Sequence, residues 1–216
     1  MIEVATIVQA FAVISACWAI ITGIGAWKRE FIGKRQIELA EQVLAKFFEV
    51  KDAITFIRNP FSSSDEGKTR KRDNGESAND SELLDRGYIV IERYTKKENV
   101  FAEFNTLKYK FMASFGVDTE EIFIDTNKAL NSIFVSARML ATHYWKRQGR
   151  VHMEGDEFQK YLDEMHRHEG IFWDIGIEED EIRIQLKKIQ EKLEKATAPC
   201  FQEPMKTFTM FTKKWF

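Results

Sequence analysis

The stretch VATIVQAFAVISACWAIITGIGAWKRE, Val4 to Glu30, decides how the rest of the chain is read. No charge occurs between Val4 and Trp27, and then Lys28, Arg29 and Glu30 arrive together. A helix over that interval is about 36 Å long at 1.5 Å per residue, enough to cross a hydrocarbon core of about 30 Å. A buried helix of a soluble protein is usually shorter and carries a polar side. Here the polar interruptions are only Thr6, Gln9, Ser15 and Thr22. A cleaved secretion signal needs a basic start, a shorter apolar run and a small-residue cut site. This chain instead has Glu3 at its start and no Lys or Arg before Lys28. Residues 1–28 therefore read as a retained transmembrane anchor in the lipid bilayer.

Lys28, Arg29, Lys34 and Arg35 all follow the span. Basic flanks are retained on the cytoplasmic side of a cell (inner) membrane, so the N-terminus is expected outside and the remaining chain inside. Trp27 suits the interface, and Trp18 lies deeper as a lipid-facing apolar residue. Ser15, Ala19 and Gly23 recur at four-residue steps, a row that lets two helices approach closely and a candidate route to a homo-oligomer.

Mean hydropathy is −0.37, so one apolar span is diluted by a polar domain. Charged residues make up 31% of the chain, yet the net charge is only −2, which gives no field to attract nucleic acid. Two cysteines, Cys17 and Cys200, cannot form a disulfide framework, in keeping with a reducing compartment.

Beyond the span the apolar spacing is helical. Ala40, Val43, Phe47, Val50, Ile54 and Ile57 step by three and four, with Leu44 and Phe48 widening the stripe. Asn59-Pro60 stops that helix. Residues 60–81 are rich in Ser, Asp, Asn, Gly and Lys, and read as a long mobile loop with almost nothing to bury. Its basic patch, Lys68 to Arg72, is flanked by acids and reads as solvated. A second helix is expected from about Glu82 to Phe115, its stripe broken only by Lys97 and Lys108, whose stems can snorkel. Gly116 ends it, with Asp118 and Glu121 placed to cap a third helix that carries Ile122, Thr126, Ala129, Ile133, Ser136 and Leu140. Phe158, Tyr161, Leu162 and Met165 share the face of a further segment, which Gly170 and Gly176 interrupt around IFWDI. Ile182, Leu186, Ile189, Leu193 and Ala196 mark a last helix from Glu178.

The expected fold is all-α: a single N-terminal transmembrane helix, then a cytoplasmic antiparallel helical bundle of about four main helices over residues 29–197. An aromatic and basic tail, residues 198–216, presents Met205, Phe208, Phe211, Trp215 and Phe216 among Lys206, Lys213 and Lys214. It is placed to cap the bundle or to touch headgroups.

The spacing supplies no catalytic residue, no cofactor-binding residue and no metal ligand set. There is no phosphate loop, nucleophile elbow, His-Glu-x-x-His or Cys-x-x-Cys. His143, His152, His166 and His168 offer only Asp163-x-x-His166, one half of the pair a dimetal bundle uses. The acidic run Glu178 to Glu181 suits a helix start. The expected function is a membrane-anchored, non-enzymatic interaction or scaffold module for a protein partner. The alternatives are a metal or enzyme site in the bundle near Asp163–Glu169, and an oligomeric sensor assembled through the span.

Overall fold

The computed structural model describes residues 2–177 and 179–202; the aromatic tail from Met205 onward lies outside the described residues. These residues are all-helical, with no strand among them. Six long helices follow in order: α1 (Ile2–Ile57), α2 (Ala78–Thr95), α3 (Glu98–Phe115), α4 (Glu120–Met139), α5 (Gly155–Phe172) and α6 (Glu181–Gln202). The chain divides into two compact units, one of residues 1–42 with 197–216 and the other of residues 43–196.

In the first unit, α1 is one uninterrupted helix through Trp27, Lys28 and Gly33. Between Phe11 and Trp27 its large apolar side chains are all exposed, and this stretch is long and apolar enough to cross a membrane. Its hydroxyls are not left open. Ser15 donates to the Phe11 carbonyl at 2.7 Å, and Thr22 to that of Trp18 at 2.9 Å.

In the second unit the predicted stripes are the core. Val43, Phe47, Val50, Ile54 and Ile57 of α1 are buried, while Leu44 is half-buried and Phe48 is exposed, so the stripe is narrower than its sequence suggests. Phe47 meets Phe104 of α3 at 6.0 Å between ring centroids, and Phe104 stacks on Phe123 of α4 at 4.7 Å. Ile182, Leu186, Ile189 and Leu193 bury the inner face of α6.

Several expected boundaries move. The helix expected over Glu82–Phe115 is two helices. It starts earlier, because the Ser77 hydroxyl caps the Asp80 amide at 3.1 Å. It breaks at the polar position in the stripe: Lys97 bonds back only three residues, to the Tyr94 carbonyl at 2.8 Å, and carries its ammonium over the Phe56 ring. The other polar position, Lys108, pairs with Glu120 at 2.8 Å. Asp118 caps nothing: it lies in a short 3-10 turn, Val117–Thr119, where Thr119 donates to the Gly116 carbonyl. Gly170 does not interrupt α5, and α6 runs past Pro199 to Gln202. Six long helices thus replace an anchor and four. After Met139 the chain of α4 widens into a π turn, Leu140–Tyr144, before a last short helical piece, Trp145–Arg147.

Two buried arginines tie the helix ends. The Arg58 guanidinium, at the end of α1, grips both Asp180 oxygens at 3.0 and 2.6 Å. It also donates to the carbonyls of Gly170, Ile171 and Trp173, which leave the end of α5. Asp180 in turn accepts the Arg183 amide at 2.9 Å, the bond of a helix N-cap. Arg93 does the same service for α1: it donates to the Ile57, Asn59 and Phe61 carbonyls and holds Glu66 at 2.6 Å.

At Gly87 α2 packs tightly against α4 and the turn that follows it. A Cβ built there would stand 2.7 Å from that of Ala141 and 3.0 Å from the Ala137 carbonyl oxygen. Overpacking of this kind costs about 1–3 kcal/mol, more than the ~1 kcal/mol a helix gains on replacing Gly by Ala. Gly170 has open space around it. Thermal melting of the two variants should separate them: Gly87→Ala melts lower than the parent and Gly170→Ala does not.

Candidate functional site

A cleft of about 840 Å³ lies in the second unit between the segment after Pro60, the first half of α2 and Trp173. The composition of residues 60–81 gives no sign of what fastens this segment. The fastenings are charges, a hydroxyl and a backbone amide, most of them meeting α2. Arg70 grips Glu76 through two bonds and reaches Asp85 at 3.0 Å. Arg72 takes the other Asp85 oxygen at 2.6 Å. Glu92 accepts the Gly67 amide at 2.9 Å and the Thr69 hydroxyl at 2.8 Å. Gly67 has φ 85° and lies directly against α2; a Cβ there would stand 2.0 Å from the Asp85 carbonyl oxygen, so no other residue fits.

Several charges around the cleft are paired. Arg70 holds the Glu76 carboxylate down to a pKa of about 2, with the Asp73 amide adding to the effect. Arg93 likewise lowers Glu66. Ser81 donates its hydroxyl to Glu76 at 2.9 Å, but a carboxylate of pKa about 2 is too weak a base to take that proton at neutral pH. Arg86 faces the cleft with its guanidinium 4.2 Å from the centroid of the Trp145 ring, a stacked cation whose edge is open to solvent. The walls therefore carry charged and hydroxyl groups, and Ser81 is set against a weak base.

The sequence neighbourhood Asp163–Glu169 is not gathered into one site. Asp163 accepts from Gln159 at 2.8 Å, His166 is exposed, and Glu169 accepts the Trp145 indole N–H at 2.8 Å. Among the described residues no group of three or more His, Cys, Asp or Glu comes together. His168 is the histidine that meets the core, with Nδ1 3.0 Å from the Ser136 hydroxyl and its ring against Tyr144 of the π turn. Burial lowers its pKa, helped by Arg167, so the ring is neutral at pH 7. A serine beside a neutral histidine has the form of a nucleophile and its base. Ser136 is only 1% exposed, so no substrate reaches it, and the pair joins α4 to α5 instead. The Tyr161 hydroxyl closes the same joint by donating to the Tyr144 carbonyl.

Arg58, Arg70, Arg93 and Asp180 carry the built polar chemistry, and sequence periodicity did not single them out. One signal was present: Arg58 falls four residues after Ile54 and Arg93 three after Val90, both in register with a buried stripe. Lys97 falls in register too and stays exposed, so register alone does not separate them. A planar five-donor guanidinium can be satisfied inside a protein, whereas an ammonium is strongly hydrated. Comparison with protein-family models, with curated proteins and with solved structures finds no match.

The charge lock on the segment predicts acid lability with a defined window. A carboxylate whose pKa is lowered by folding contributes stability above its unfolded pKa and loses it as pH falls through the folded one. For Glu76 the window runs from its ordinary 4.5 down to about 2. Melting temperatures of the parent and of Glu76→Gln should differ at pH 6 and converge over that window. A gap that stays constant to pH 2 would place the lock elsewhere.

Proposed function

We propose that this protein is a single-pass, membrane-anchored helical module that presents its polar domain to a protein partner at the inner face of the membrane, without chemistry of its own. The observation that carries the reading is the exposure of α1. Phe11, Val13, Ile14, Trp18, Ile20, Ile21, Ile24 and Trp27 are each 60–70% exposed along a helix of membrane length. Water would make such a surface costly, at roughly 25 cal/mol per Å². Lipid removes that cost, and it requires polar groups to be satisfied within the helix, as the Ser15 and Thr22 hydroxyls are. The basic residues after Trp27 support a cytoplasmic domain and an N-terminus outside.

The reading includes an antiparallel bundle in the second unit. Its support is the order of contacts. Lys46 of α1 pairs with Glu103 and the later Phe56 meets the earlier Lys97, so α3 runs back along α1. Asn105 meets Asn127 while Lys108 meets Glu120, which sets α4 against α3. Lys51 meets Gln190 and Arg58 meets Asp180, which sets α6 against α1. The open cleft beside α2, lined by charged and hydroxyl side chains, is the surface this reading offers to a polypeptide partner.

Fractionation tests the anchor. The full chain should sediment with membranes and resist carbonate and high salt. Protease added to intact cells should spare the domain, and cut it only after the inner face is opened. Recovery of the full chain in the soluble fraction, or cutting from outside, would overturn the reading.

A further inference from the structure

Just past the apolar stretch, α1 sorts its charges by side. Trp27, Phe31 and Arg35 follow at four-residue steps and so form one stripe. The rings of Trp27 and Phe31 stack with centroids 5.8 Å apart, and the Arg35 guanidinium lies 5.7 Å from the Phe31 centroid. Lys28, seven residues before Arg35, stands beside that stripe. Arg29 folds back along the helix towards Gly25, its Nη1 only 3.6 Å from where a Cβ would be. Glu30 stands two residues after Lys28, about 200° round the helix, and is already bound to Lys34 at 2.8 Å. The next acid on the stripe, Glu38, is a turn further from the apolar stretch. Among the described residues Lys28, Arg29 and Arg35 have no carboxylate partner; Lys28 and Arg35 share the side of the Phe31 ring, and Arg29 stands nearly opposite it.

We propose that this side of α1, with Lys28 and Arg35 flanking Phe31, binds the phosphate headgroups of anionic phospholipids in the inner leaflet. The inference rests on the membrane reading and goes further, because it names the lipid class and the residues that select it. Aromatic rings at this depth fix the helix in the interfacial region. Stacking Arg35 on Phe31 orders its guanidinium while leaving its N–H edge for a phosphate, which two parallel N–H donors fit. Lys34, on the other flank of the aromatic stripe, is already held by Glu30 and contributes little.

The test uses the full chain in nanodiscs of phosphatidylcholine with a minority of phosphatidylglycerol, and native mass spectrometry to count the lipids that stay bound. The parent should retain phosphatidylglycerol enriched at least about fivefold over its share, the size expected for one basic residue at an anionic surface. Lys28→Gln and Arg35→Gln together should abolish the enrichment without preventing insertion. Lys34→Gln should leave it in place. Insertion with no preference in the parent, or full preference in the double variant, would overturn the inference and leave the anchor standing. Failure to insert in either lipid would overturn the anchor itself.

Discussion

The second unit depends on a charge kept out of water. Arg58 and Asp180 are each 1% exposed at the side chain, 2.6 Å apart, and separated by more than half the chain. Removing such a pair from water costs several kcal/mol per ion, and the cost is recovered only when the remaining donors and acceptors are filled. Here they are. Arg58 makes bonds to both Asp180 oxygens and to the three carbonyls at the end of α5, and Asp180 caps the first turn of α6. One guanidinium thereby settles the orphan backbone groups at the end of one helix and the direction of the next. The Asp174 amide returns the favour by bonding the Arg58 carbonyl at 2.8 Å.

The same solution recurs at the end of α1. α1 ends at Asn59-Pro60, where helical bonding stops, and Arg93 supplies donors to the carbonyls released there. Its pairing with Glu66 starts the attachment of the following segment, which Glu92, Arg70 and Arg72 continue. Apolar stripes bring the helices together, and arginines at their ends fix which end meets which. Between Phe11 and Trp27 α1 follows the opposite rule: the Ser15 and Thr22 hydroxyls turn back onto their own helix, and the large side chains face outward.

The helices were legible because their apolar residues recur at three and four. Val43 to Ile57, Ile122 to Leu140 and Ile182 to Leu193 are buried as their spacing requires. The break at Lys96–Lys97 was not legible, because no Gly or Pro marks it; only a lysine in an apolar register hints at it. The fastening of the 60–77 segment was hidden for a different reason. Its contacts are between charges distant in sequence, and composition alone makes such a stretch look solvated. Asp180 was hidden in plain view: four acids in a row suit a helix start, and only the fold shows which one turns inward. The Asp163–Glu169 cluster illustrates the reverse, residues close in sequence that the helix sends to three different neighbours.

A double-mutant cycle between Arg58 and Asp180, read by denaturant unfolding of the full chain in detergent micelles, tests this dependence most directly. Arg58→Met or Asp180→Asn alone leaves a buried group unpaired, and each should cost about 3–5 kcal/mol. The double variant should lose far less than the sum of the two, because the second change removes the group that the first left stranded. Single losses below about 1 kcal/mol that simply add would contradict it, and would mean that the apolar stripes alone hold the helix ends in place.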